Sequence, residues 1–439
     1  MVLNVQEIYS RAKKIIPGGT NLLSKRPELW VPNEWPNYFK TASDVSVYGL
    51  DKKNYVDMST FAVGACILGY ANRSVNRQVI KIVKSGNTST LNCLEDVILT
   101  EELLSIHSWA KGARFARGGG EALAIAIRIA RVATNKSGVV VSGYHGWTDW
   151  YLAANLKDDQ LGEKGVHLSG LNAKGVPKEL TNSVKVAALH NIEEIENACK
   201  DIVGGPAAIV TEIQRYTEVP ANFLRDLRKI ADRYNAILIF DEVTSGFRFN
   251  YGGIHLNHGV SPDICVFAKA LGNGFPIAAV LLNEKAFSAA SETFISSTSW
   301  SERIGPTAAL ATLKEMNKLK SWEITNEVGQ RVRRIWENTV QSSGLPVHIL
   351  SPVNAGIVKL EFEGPFAKEL KTLWCKLMLR EGYLDNGNFY ATVAHKKSVL
   401  DKYERHVDKV VNLILEIYDK ENFYEHFSEI SHSGFEILK

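Results

Sequence analysis

The chain has 439 residues, 45% of them hydrophobic and 23% charged, with a formal net charge of +3 at pH 7. That length exceeds one compact core and predicts one large and one smaller domain, while the apolar share is that of an ordinary soluble protein. A near-neutral balance with no concentrated basic tract gives no ground for a nucleic acid or a membrane surface as partner, which leaves a small molecule.

The five cysteines, Cys66, Cys93, Cys199, Cys265 and Cys375, are widely spaced and show no CxxC or Cys/His ligand pattern. They read as reduced packing residues, and no metal site is expected. The amino terminus, MVLNVQEIYSRAKK, lacks the apolar stretch of a signal peptide. No later run reaches about 18 apolar residues, so a cytoplasmic protein is predicted.

In chain order, residues 5–15 have helical spacing and are stopped by Pro17, Gly18 and Gly19. Residues 29–37, rich in Trp and Pro, read as an ordered loop, and 45–58 alternate around Asp51-Lys52-Lys53-Asn54 as a hairpin. Asn72 opens a helix through Lys84, and 95–109 predict a second amphipathic helix. Residues 113–131, ARFARGGGEALAIAIRIAR, read as a short strand, three glycines and an apolar helix. Free backbone amides where Gly118, Gly119 and Gly120 open that helix favour an anion such as a phosphate, with a flexible turn as the alternative.

A strand over 137–142 ends at Gly143-Tyr144-His145-Gly146-Trp147, where a tyrosine and a histidine either serve a site or satisfy each other. Residues 151–181 are polar and without period, as in a long loop over an active site. A strand over 184–189, a helix over 192–200 capped by Asn191, a strand over 207–211 ending at Glu212 and a helix over 223–234 then alternate. This is the order of a parallel sheet with right-handed crossovers.

The chain is organised around 236–276, AILIFDEVTSGFRFNYGGIHLNHGVSPDICVFAKALGNGFP. The runs AILIF and DICVFA read as buried parallel strands, each breaking into a loop at a charged residue, Asp241 and Lys269. A carboxylate and an amine at neighbouring strand ends lie where open α/β sheets bind ligands. The pair suits pyridoxal phosphate, with the lysine forming a Schiff base with its aldehyde and the aspartate holding the pyridine nitrogen protonated. The plain alternative is a strand-end Asp and a surface Lys.

FDEVTSGFR and AKALGNGFPIAAV, with Gly272, Gly274 and Pro276 after the lysine, resemble the signature of the class III pyridoxal-phosphate aminotransferases, in the branch of glutamate-1-semialdehyde aminomutase. A weaker likeness runs from about Pro17 to His395. The resemblance implies an α/β fold of fold-type I, with a large domain around a mainly parallel seven-stranded sheet and a smaller α+β domain. Residues 1–60 would form an arm and hairpin of the small domain, 61–310 the large domain, and 311–439 the rest of the small one. It further implies pyridoxal 5'-phosphate as cofactor, an amino donor and an oxo acceptor as substrates, and a homodimer with shared active sites.

By the same resemblance Lys269 and Asp241 are catalytic, and Val243 of the DEV lies at the cofactor. Gly118, Gly119 and Gly120 fall on the family's Ser-Gly-Thr phosphate loop, with Gly118 and Gly120 replacing both hydroxyl residues. Tyr144 stacks on the cofactor with His145 beside it, and Glu212 keeps the acid of a Glu-Pro motif. Residues 59–70 line the substrate side. Ser301, five before Pro306, falls on a threonine that binds the neighbouring subunit's phosphate, with Thr298 as the second choice. Two departures concern substrate. Lys25, followed by Arg26, stands where the aminomutase has a carboxylate-binding arginine, and Gly387 and Asn388 lie where it carries a gating glutamate.

Beyond Ala308 the sequence predicts one long helix past Trp322 toward Thr339, strands around Ile349 and over 358–362, and helices over 367–380 and 400–418. The aromatic tail, 423–439, either packs on a partner subunit or is mobile. Three functions compete: an aminotransferase, which the departures favour, an aminomutase, and a catalytically silent cofactor-fold binding protein.

Overall fold

A computed structural model describes residues 4–156, 170–418, 423, 427 and 429–432. The centre of the loop expected over 151–181, residues 157–169, lies outside the described residues. Contacts divide the chain into two units, Met1–Asn72 with Glu323–Lys439, and Arg73–Trp322.

The first unit opens with helix α1 (Val5–Ile15), whose N-cap Asn4 accepts hydrogen bonds from the amides of Gln6 and Glu7. The antiparallel strands β1 (Phe39–Ser43), β2 (Ser46–Gly49) and β3 (Asn54–Asp57) contain the expected hairpin. Between that hairpin and the second unit, Phe61, Ala62 and Val63 are all left-handed, with φ of 49°, 55° and 57°. Three such non-glycine residues in succession are strained backbone that no propensity announces.

The second unit begins with α2 (Arg73–Ser85) and α3 (Leu94–Ile106). Strand β4 (Gly112–Ala116) leads into α4 (Gly119–Thr134), which buries seven apolar residues and ends at a left-handed Asn135. Then follow β5 (Val139–Ser142), α5 (Asp149–Leu152), β6 (Val184–Val186), α6 (Ile192–Lys200), β7 (Ala208–Glu212) and α7 (Phe223–Arg233). The unit is completed by β8 (Ile237–Asp241), α8 (Ile254–His258), β9 (Ile264–Phe267), β10 (Ala278–Leu282), α9 (Glu284–Ala290) and α10 (Ile304–Leu319).

Its sheet has the order β4-β10-β9-β8-β7-β5-β6, with only β10 antiparallel to its neighbours. Every residue of β5, β7, β8, β9 and β10 is buried, which is why these strands read as unbroken apolar runs. α4 crosses one face of the sheet over β4, β10, β9 and β8. α7 instead shows a stripe, Phe223, Leu224, Leu227, Ile230 and Ala231, because only one of its faces is covered.

The first unit resumes along α11 (Ser321–Ile335), β11 (Val347–Leu350), β12 (Ile357–Phe362), α12 (Ala367–Arg380), β13 (Tyr383–Leu384), β14 (Asn388–Tyr390) and α13 (Lys397–Tyr418). β13 pairs parallel to β3, and β11-β12-β14 form a separate antiparallel sheet. Two expectations are corrected here. The single helix from Ala308 to Thr339 is two, because Lys320 turns left-handed at φ 50° and ends α10. The described part of the tail packs on its own unit: Phe423 is buried against Phe366 and Tyr418, and the Ser431 amide donates to Thr372 Oγ1 at 2.9 Å.

Candidate active site

β7, β8 and β9 run parallel and stop in register, so their carboxyl ends present Glu212 beside Asp241, with Lys269 two residues past β9. Lys269 has φ 45°, a left-handed conformation that a lysine adopts at a cost of about 1–3 kcal/mol, so the surrounding fold imposes it. Its Nζ donates to Thr244 Oγ1 at 2.8 Å. Burial of the amine, and after it the Arg215 guanidinium, pull its pKa down to about 8 against the opposing pull of Glu212 and Asp241.

Asp241 is buried and its two oxygens have separate tasks. Oδ1 accepts the Val243 amide at 3.0 Å, and Oδ2 faces His145 Nδ1 at 2.8 Å. The other ring nitrogen of the fully buried His145 faces the Ser142 carbonyl at 3.2 Å. With an oxygen acceptor on each side, the ring satisfies both only by donating from both nitrogens. His145 therefore braces Asp241 from behind, and both of its nitrogens are taken.

The glycine loop lies against the same strand end. Gly118 is the N-cap of α4 and carries no side-chain cap, so the first amides of the helix are uncapped by side chains. A Cβ on Gly119 would come 3.0 Å from Val243, and one on Gly146 would come 3.0 Å from the Gly120 Cα. At these two positions a side chain would press on Val243 and on the Gly120 backbone, so glycine favours the close approach of α4, the 143–147 loop and the end of β8. Tyr144 is half-buried, with its ring edge-on to Tyr151 at 6.0 Å, and burial raises its pKa. Glu212, buried, pairs with Arg215 at 2.6 Å. Beside it Gln214, 1% exposed, leaves its side-chain carbonyl oxygen without a hydrogen-bond partner. Uncapped helix amides, with close approaches at Gly119 and Gly146, fit the phosphate of a pyridoxal-type cofactor, and the orphaned Gln214 acceptor fits a donor such as its ring hydroxyl.

Ser301 and Thr298 are placed differently. Both are exposed on a 3-10 turn, Thr298–Ser301, and the Ser301 hydroxyl donates to the Thr298 carbonyl at 2.9 Å.

Thr244, Arg215 and Gln214 join the site without being singled out by the sequence motifs. Thr244 lies inside the FDEVTSGFR string, three residues past Asp241, so its position carries a usable signal. In the first unit, the guanidinium next to Lys25 is also informative: Arg26 is 1% exposed, its Nε donates to the Leu23 carbonyl at 3.3 Å, and both terminal nitrogens lack partners.

Among the described residues Glu242, His255 and Cys265 lie within 4.8 Å of one another, a spacing compatible with a metal. Hydrogen-bond direction argues for another use. Trp109 Nε1 donates to His255 Nε2 at 3.1 Å, so the ring proton resides on Nδ1, which donates to Glu242 Oε1 at 3.1 Å. The His255 amide and the Ser245 hydroxyl also donate to Glu242. The nitrogen a metal would need is thus protonated and engaged.

Residues 32–343 match the family described as aminotransferase class-III. Over 384 residues the chain is 29% identical to 3-aminobutyryl-CoA aminotransferase of Cloacimonas acidaminovorans, covering 85% of this chain and 87% of that one. Over 440 residues it is 26% identical to glutamate-1-semialdehyde 2,1-aminomutase of Saccharolobus islandicus, covering 95% and 98%. Among solved structures, the FumI protein of Sphingopyxis sp. MTA144 in a PLP form superposes with a TM-score of 0.84 at 23% identity, covering 94% of this chain and 97% of that one. The chain belongs to the class III aminotransferases. It is a fold-type I enzyme that uses pyridoxal phosphate to transfer an amino group between an amino donor and an oxo acceptor.

Proposed function

We propose that Lys269 is the residue to which the cofactor's aldehyde is attached and that the same amine then carries the proton moved during transfer. The observation that carries this reading is a buried amine with its pKa lowered to about 8, at a strand end next to the one bearing Asp241. Bound pyridoxal phosphate supplies a ring that accepts electrons from the carbon bearing the amino group. Asp241, braced by His145, would hold the ring nitrogen protonated. Gly118, Gly119 and Gly120 would hold the phosphate by amides, Tyr144 and Val243 would contact the ring, and Glu212 holds Arg215 beside the strand end.

Separate donor and acceptor molecules are favoured over intramolecular transfer. The aminomutase relative covers nearly the whole chain, but Lys25 replaces the aminomutase's arginine, and Gly387 and Asn388 occupy the place of its gating acid.

The working form is a homodimer in which Ser301, with Thr298 beside it, reaches the partner's phosphate. Supporting this, Leu94, Val97 and Ile98 form an exposed apolar face on α3, and Ile80 and Val83 another on α2. The cytoplasm is the proposed compartment, in keeping with five free, buried cysteines; among the described residues no helix is long and apolar enough to cross a membrane.

Borohydride reduction of the holoenzyme followed by peptide mapping tests the central assignment. The cofactor label is expected on the peptide containing Lys269, and a label on any other lysine overturns it. Lys269→Ala is expected to remove both the cofactor absorbance band and turnover while the chain stays folded.

A further inference from the structure

Three consecutive glycines are a poor way to hold a rigid cradle. Glycine loses more backbone freedom on ordering than any other residue, and none of the three carries a side chain that could lock the loop. Something outside the glycines has to fix them.

Arg117, immediately before Gly118, has the right contacts. Its amide donates to Glu121 Oε2 at 2.9 Å, inside the first turn of α4. Its guanidinium leaves the loop: Nη2 donates to the carbonyls of Trp300 and Glu302 at 2.9 and 3.1 Å, and Nε lies 2.8 Å from Glu302 Oε1 as an ion pair, its N–H not directed into a hydrogen bond. Nη1 donates to the Ala116 carbonyl at 3.2 Å. Glu302 is itself fixed, because its carboxylate accepts the amides of Ile304 and Gly305 at 2.6 and 2.9 Å and so caps α10. The side chains of Arg117 and Glu302 are 15% and 19% exposed, so this pair is far better shielded than a surface ion pair. Arg117 is the cation one would nominate to bind the phosphate, yet its Nη2 is committed to the carbonyls of Trp300 and Glu302 and its charge is paired with the Glu302 carboxylate.

We propose that Arg117 is a positioning residue that straps the glycine cradle to the 300–302 segment, so that cofactor retention depends on a bridge to Glu302. The proposal rests on the reading of Gly118 to Gly120 as the phosphate cradle. It adds that the segment holding the strap is the one carrying Ser301, so a single guanidinium steadies both the cradle of one site and the turn offered to the other.

The test is the rate at which pyridoxal phosphate leaves the holoenzyme, followed by its absorbance with a trap in excess. Arg117→Met is expected to speed release by about 10- to 100-fold, the scale of a lost charge-assisted hydrogen bond. Arg117→Lys is expected to recover only part, since an ammonium lacks the planar fork that meets two carbonyls and a carboxylate together. Glu302→Gln should weaken retention too, and Arg117→Met combined with Glu302→Gln should be no worse than Arg117→Met alone, because both break one bridge. The melting temperature of Arg117→Met should fall further below the parent's with cofactor bound than without it. Release at the parental rate in Arg117→Met, additive losses in the double variant, or an equal drop in melting temperature with and without cofactor would each overturn the strap. Gly119→Ala serves as the separate check on the cradle: if it leaves release unchanged, the reading of the glycines fails whatever Arg117 does.

Discussion

Burying an ammonium costs far more than burying an amine, and at Lys269 that cost is the main cause of the lowered pKa. The sign follows from the lowered pKa: the amine is neutral above about 8 rather than above 10.5. At pH 8 roughly half of it is unprotonated, against about 0.3% for an ordinary lysine. Capture of pyridoxal phosphate by the cofactor-free protein is therefore expected to rise with pH to a midpoint near 8, measured as the rate of appearance of the bound cofactor band. Arg215→Gln should move that midpoint upward, though only part of the way, since burial is the larger cause. A midpoint unchanged in the variant would mean that Arg215 does not act on the amine. Asp241→Asn is expected to keep the cofactor band but lower turnover by at least about 100-fold, the scale of losing one preorganised electrostatic partner. Near-normal turnover would show that the carboxylate does not face the ring nitrogen.

At the scale of elements, helix α11 offers a case where packing and propensity oppose each other. Gly329 lies within α11, where alanine is intrinsically better by about 1 kcal/mol. A Cβ there would lie 1.6 Å from the Ala355 carbonyl oxygen, and neither partner is a flexible side-chain end. The clash has to move backbone, so Gly329→Ala is expected to destabilise by several kcal/mol, on the scale of overpacked cores. A urea midpoint equal to or above the parent's would show that α11 slides easily past Ala355. The break at Lys320 belongs to the same scale. No glycine or proline marks it, and it arises where α10 has finished with its own unit's packing and α11 begins another.

For the whole molecule, the proposed shared site turns on Ser301, which lies on an exposed turn with its hydroxyl bonded to the Thr298 carbonyl. Ser301→Ala is expected to weaken cofactor retention by roughly 10-fold or more, given about 1.5–3 kcal/mol for a hydrogen bond to a charged group. Dilution of the parent enzyme should release cofactor in step with dissociation, read by sedimentation and absorbance on the same samples. Monomers that hold cofactor as tightly as dimers would refute the shared site.

The sequence by itself determined the parallel sheet, the family and the Asp241–Lys269 pair, because each is encoded locally: buried strands as unbroken apolar runs, and chemistry as charged residues ending them. It also located the glycine turn that opens α4 from one string, 113–131. Tertiary structure alone decided which groups face them. That His145 braces Asp241, that Thr244 receives the Lys269 amine and that Arg117 reaches Glu302 are contacts spanning 96, 25 and 185 residues of sequence. No periodicity or short motif records such pairings, since they exist only once the strand ends have been brought into register. The same holds for Arg26: its neighbour's identity was visible in the chain, but burial of its guanidinium without a partner is a property of the packed unit.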